Sequence, residues 1–196
     1  FYLQHYGALF TRVETNLYME KYDVAHEELM KQWNEMSQSF ILRWQMLNIM
    51  AQFLRGRVSL ARWLDDRGNR QLKGDIETCI AKLRAIRSTW QAPTVFVLEA
   101  GLALGNGDSE RAIRLLQNAG TAFSEISVKG FAAACRVIEA DLRQDGGGAD
   151  FASARTFLFR QQVQKPRAFV RMMIPGNWHS QPLDLRAEIE PPTLRR

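Results

Sequence analysis

The chain has 196 residues, 46% hydrophobic and 24% charged, with six prolines and two cysteines. These are globular proportions, and they exclude disorder, collagen, a Pro-rich linker and a disulfide-stapled scaffold. Lys and Arg outnumber Asp and Glu by 26 to 21, for a formal charge of +5. The basic residues stand singly (Arg55, Arg57, Arg62, then Arg84, Arg87, then Arg111, Arg114), as on a solvated surface, with no run that would form a nucleic-acid arm.

The 3.6-residue period runs through nearly the whole chain. Tyr2, Tyr6, Leu9, Phe10, Val13 and Leu17 line one face of a first helix. Asp23 is placed to cap a second, whose seam is Ala25, Leu29, Trp33 and Met36. Ser39 is placed to open a third from Phe40 to about Leu64, carrying Ile41, Trp44, Leu47, Phe53, Leu54, Val58 and Ala61. This third helix is apolar round more than half its circumference, so it is expected to be central, with Gly56 kinking it or admitting a neighbour.

The Asp65-Asp66-Arg67-Gly68-Asn69 cluster is a turn, and Leu72, Ile76, Cys79, Ile80, Leu83 and Ile86 then mark a fourth helix. Pro93 bounds the next loop, a fifth helix spans about Thr94 to Leu104, and Gly105-Asn106-Gly107 stops it. Asp108 caps a sixth helix with Ala112, Leu116 and Phe123. A seventh starts near Val128 and ends at Gly146-Gly147-Gly148; an eighth starts near Asp150; a ninth opens on Pro166 and ends at Pro175-Gly176. Residues 177–196, with Pro182, Pro191 and Pro192, read as an extended tail.

Leu17, Ala25 and Leu29 share their spacing with Leu104, Ala112 and Leu116, and Leu142, Ala154 and Leu158 form an imperfect third copy. Helical hairpins that recur in this way stack, because one hairpin alone leaves an apolar face uncovered. The expected fold is therefore all-α: a tetratricopeptide-like right-handed array of antiparallel hairpins over residues 1–176, followed by the tail. A plain antiparallel bundle is the alternative.

Chemistry is hard to find. Gly105-Asn106-Gly107-Asp108 puts an acid where a phosphate-binding loop needs Lys, and Gly146-Gly147-Gly148-Ala149-Asp150 fails in the same way. His5, His26 and His179 show no metal-ligand spacing, and Cys79 and Cys135 fall on apolar stripes as inert buried thiols. Glu27-Glu28 and Asp65-Asp66 are paired acids, but adjacent helical positions point apart, so neither is a ready acid/base dyad. No catalytic, cofactor-binding or metal residue is assigned. Trp33, Trp44, Trp63 and Trp90, with Phe53 and Phe96, have core spacing, and Trp178 in the tail is the one candidate partner contact. With no apolar run of about 18 residues, no membrane insertion and a cytoplasmic location are expected.

Two stretches resemble a known family. One runs from Gln4-His5-Tyr6 through Leu17-Tyr18 and Asp23 to Trp33; the other runs from Phe157-Leu158-Phe159-Arg160-Gln161 through Pro166 to Met172-Met173-Ile174-Pro175-Gly176. With the middle element from Leu102 through Gly107-Asp108 to Leu116, they are similar to the C-terminal tetratricopeptide-like region of bacterial eukaryotic-type serine/threonine protein kinases, as in planctomycetes and myxobacteria. The family has Trp where this chain has His26 and Phe157, and Gly where it has Gln162, so a different turn before Pro166 is expected.

The resemblance implies a non-catalytic regulatory or docking module. Its partner would be another protein or the parent's own kinase domain, and ATP and Mg would be held only in that domain, upstream of Phe1. The Phe1 start, in place of Met, fits a piece of such a parent. The other readings are the same array on a signalling ATPase or transcription regulator, and a basic nucleic-acid-binding helical domain.

Overall fold

The computed structural model describes residues 1–143 and 148–176. In order they form α1 (Leu3–Tyr18), α2 (Tyr22–Gln38), a 3-10 turn (Phe40–Arg43), α3 (Gln45–Asp65), α4 (Arg70–Arg84) and α5 (Gln91–Gly105). There follow α6 (Ser109–Glu125), α7 (Lys129–Arg143), α8 (Gly148–Arg160) and α9 (Pro166–Met173). The described residues contain no strand, and Val95-Phe96-Val97 lies within α5.

Local chemistry sets the helix ends. Asn69 Oδ1 accepts the Leu72 N–H at 3.2 Å to open α4, and Asp108 Oδ1 accepts the Arg111 N–H at 3.0 Å to open α6. Four helices close through the same paired bonds of a Schellman turn. In α5, Gly107 N–H donates to the Leu104 carbonyl and Asp108 N–H to Ala103, with Gly107 at φ 84°. The pattern repeats after α1 with Glu20 at φ 58°, after α6 with Ser127 at φ 61° and after α8 with Gln162 at φ 53°.

Each helix packs on its neighbour in sequence from α1 to α8, α5 also packs on α3, and α9 touches both α1 and α7. The last helix thus bridges the early and late parts of the chain. Helix α3 separates two apolar clusters. Ala51, Leu54, Val58 and Ala61 face α1 and α2, where Leu9, Val13, Leu17, Ala25 and Leu29 are buried. Its other side presents Ile49, Phe53, Leu60, Trp63 and Leu64 to α4–α7. Burying each Leu or Val in this way stabilises the fold by about 1.5–3 kcal/mol relative to exposure, so the central position expected for this helix is observed.

The contact between α3 and α5 depends on glycine. A Cβ on Gly56 of α3 would stand 2.6 Å from Leu98 Cδ1 of α5, and one on Gly101 of α5 would stand 2.2 Å from Leu60 Cδ2 of α3. The two leucines fill each other's glycine notches. Gly56 therefore admits a neighbour; α3 continues as one helix from Gln45 to Asp65.

Several expectations are corrected. The third helix does not run unbroken from Phe40: Trp44 has an extended ψ of 115°, which ends the 3-10 turn and starts α3. Trp44 is 71% exposed and does not belong to the core, although Trp33, Trp63 and Phe53 do. Asp23 lies inside the first turn of α2, which begins at Tyr22, so it faces the positive helix end without capping it. Ser39 Oγ donates to the Met36 carbonyl at 2.6 Å and so finishes α2. Pro93 lies within the first turn of α5, where its missing N–H costs nothing. Gln162 takes the left-handed conformation at φ 53°, so the turn before Pro166 holds a side chain where the backbone favours Gly.

Candidate functional site

Arg57 is the most unexpected residue of the core. A position read as solvated surface is 1% exposed. It sits on α3 between Gly56 and Val58, so the helix carries its guanidinium inward along with its apolar side. Burying that charge is tolerable only with close partners. Glu14 of α1 pairs with it through both guanidinium Nη atoms, and Arg57 Nη1 also donates to the Met172 carbonyl of α9 at 2.8 Å. The guanidinium carbon lies 4.9 Å from the Phe53 ring centre and 5.5 Å from that of Phe131. Arg57 Nε has no partner in the structure.

Above this ion pair is a pocket of about 310 Å³. Phe10 of α1, Met50 and Phe53 of α3, Trp90 at the head of α5, Phe131 of α7 and Met172 of α9 contribute to its wall. Ile49, Phe53 and Phe123 form a buried floor, while Phe10, Met50, Trp90 and Met172 are half-buried. Most of its polar groups are engaged, Arg57 through both Nη atoms with Glu14 and Met172 and the Thr94 hydroxyl with the Gln91 carbonyl at 2.7 Å, which leaves the buried Arg57 Nε–H without a partner. The surface offered is apolar and aromatic.

A second feature lies at the start of the domain. Phe40 is 72% exposed and Trp44 71%, with the Arg43 guanidinium carbon 3.8 Å from the Phe40 ring centre. Tyr2 and Leu3, at the opening of α1, and Met46, in the first turn of α3, are also exposed. Tyr6 Oη donates to the Leu47 carbonyl at 3.2 Å and holds these two helix starts together. The result is an apolar, aromatic end with Arg43, on which Tyr2, Leu3, Phe40, Trp44 and Met46 stand exposed around the buried Tyr6. Aromatic and arginine side chains presented together are the residue types that anchor protein interfaces.

The remaining chemistry is structural. Burial, then the nearby Arg62, lowers the pKa of His26; Arg62 lies 3.4 Å from its Nδ1 and pairs with Asp23 at 2.7 Å. Burial pushes the Cys79 thiol up to about 12 and raises that of Cys135, so neither is a ready nucleophile. Arg12, Arg55, Arg62, Arg84, Arg136 and Arg171 are each matched by a carboxylate, which disperses these basic residues into ion pairs and does not concentrate them in one patch. Among the described residues no group of three His, Cys, Asp or Glu is placed to hold a metal, and no helix is long and apolar enough to cross a membrane. Trp178 and the tail 177–196 lie outside the described residues, as do Gly146 and Gly147.

Sequence reasoning missed both features. Arg57 gave a signal, as a charge inside the stretch of α3 that is apolar on most sides. The exposed end gave none, because Trp44 keeps the spacing of a core residue. Comparison with protein-family models, curated proteins and solved structures gives no match.

Proposed function

We propose that this chain is a non-catalytic regulatory and protein-interaction module of a bacterial serine/threonine protein kinase. In this reading its hairpins stack as a tetratricopeptide-like array, and it docks on the parent's own kinase domain, where ATP and Mg are held. The resemblance of residues 4–33, 102–116 and 157–176 to that family supplies the kinase. The recurring Schellman turns, and the Ala112–Leu116 and Ala25–Leu29 seams buried alike, support the repeat.

The observation that carries the docking role is the exposed aromatic end. Tyr2 and Leu3 are exposed at the opening of α1, Phe40, Arg43 and Trp44 before the opening of α3, and the Tyr6–Leu47 hydrogen bond ties the two helix starts together beside Phe1. Leaving large apolar side chains in water forgoes their transfer free energy, and a partner surface recovers it. The occupant assigned to this end is the upstream kinase domain.

The test is phosphotransfer by the parent with and without residues 1–176. A changed rate supports regulation by this module, and equal rates contradict it. A Gly-rich loop, a strand Lys and a His-Arg-Asp triplet upstream of Phe1 are expected; a Walker loop there would point to an ATPase instead.

A further inference from the structure

We propose that the pocket over Arg57 is a binding site for a neutral, largely apolar small molecule built on one or two aromatic rings. The inference stands apart from the docking role of the Phe40–Trp44 end and involves other residues.

The pocket's size and chemistry narrow the occupant. At about 310 Å³ it lies at the lower end of the range of small-molecule sites. A partner helix, with its diameter of about 10 Å, does not fit a space of that volume. Water is a poor occupant, because a held water needs two to four polar partners and, apart from Glu14, Arg57 and Thr94, whose polar groups mostly bond one another or the backbone, the lining is apolar. An ion is a poor occupant too: the pocket's buried cation, Arg57, is already neutralised by Glu14 and held by the Met172 carbonyl. An anion would find only the single buried Nε–H of Arg57, with the Glu14 carboxylate already on the same guanidinium to repel it.

An apolar ring compound meets none of these penalties. Phe53, Phe123 and Phe131 offer it ring faces and edges; Phe123 and Phe131 are already stacked with centroids 5.0 Å apart. Met50, Met172 and Met173 line the same space, and their unbranched side chains adapt to the outline of a guest. The walls come from α1, α3, α5, α6, α7 and α9, so the ligand would also bridge the early helices to the late ones.

Two fluorescent probes that differ by one charge test this on the intact chain. N-phenyl-1-naphthylamine is neutral, and 8-anilino-1-naphthalenesulfonate has the same rings with a sulfonate. The neutral probe is expected to saturate at one per chain, and the sulfonate to bind at least about tenfold more weakly, because a second anion beside the Glu14 carboxylate is costly to desolvate on a guanidinium already neutralised. Met50→Trp and, separately, Met173→Trp fill the space and are expected to abolish saturable binding while circular dichroism stays that of the parent chain. Phe40→Ala with Trp44→Ala is expected to leave binding unchanged.

Lack of saturable binding of the neutral probe overturns the site. So do equal affinities of the two probes, retention of binding in both folded Trp variants, or its loss in the Phe40/Trp44 pair. Saturation seen only in Trp178→Ala would make the chain's own tail the occupant and overturn it as well.

Discussion

Arg57 on α3 donates a 2.8 Å hydrogen bond to the carbonyl of Met172 on α9, 115 positions further along the chain. Its other partner, Glu14, lies on α1. One buried side chain therefore ties together the first helix, the central helix and the last. Helix α9 has only eight residues, too short to persist alone, so such contacts decide whether it stays docked.

Replacing Arg57 alone is expected to be severe. Arg57→Met leaves the Glu14 carboxylate against apolar walls, at a cost of about 3–5 kcal/mol in urea unfolding. Arg57→Met combined with Glu14→Leu removes both charges and is expected to recover most of that loss. If the double variant is no more stable than the single one, the pair is not the unit described here.

A Gly→Ala change is expected to have opposite signs inside and outside the α3–α5 contact. Gly101→Ala sets a methyl 2.2 Å from the Leu60 side chain, which is itself fully buried. It should destabilise by about 1–3 kcal/mol, as overpacked cores do. Gly74 lies inside α4 with nothing within 4 Å of a Cβ, so Gly74→Ala should stabilise by about 0.5–1 kcal/mol through helix propensity. Paired urea melts separate the two.

Gln162 sits at φ 53° in a turn where a side chain is a handicap. Gln162→Gly relieves the left-handed strain, roughly 1 kcal/mol, and should raise the melting temperature. Gly107→Ala, at φ 84°, should lower it by a comparable step. A lower melting temperature for Gln162→Gly would contradict the assigned turn.

His26 predicts a pH dependence. Burial and then Arg62 depress its pKa in the folded state, while Asp75 and Glu27 favour its charge and Arg55 opposes it. A histidine lowered in this way is neutral in both states above its ordinary value of about 6.5, so its effect is absent there. As pH falls below about 6.5 the unfolded chain takes up the proton first, and stability is lost until the folded pKa is reached. His26→Gln should flatten the decline in urea stability between pH 7 and pH 5; an unchanged slope would count against it.

Much of the helical order is legible in the sequence because buried apolar residues recur every three or four positions. The two-sided burial of α3 follows from an apolar surface that exceeds half its circumference, and the α6 start follows from Asp108. Trp44 was misread because spacing assumes a continuous helix. The 3-10 turn after Ser39 rotates the chain, and Trp44 swings outward. The pocket is hidden for another reason. Phe10, Arg57, Phe131 and Met172 meet only after α9 has returned to α1, and local periodicity does not report that return. The paired charges of Glu14 and Arg57 look like surface residues until the tertiary contact cancels them.

The most direct measurement is phosphotransfer by the kinase proposed as this chain's parent, carrying Phe40→Ala and Trp44→Ala. Both side chains are exposed, so the melting temperature of the helical domain should stay within error of the unaltered chain. If the aromatic end docks on the kinase domain, the two changes remove interface anchors and should alter the rate by at least about fivefold. An unaltered rate, with the domain still folded, would contradict the docking role.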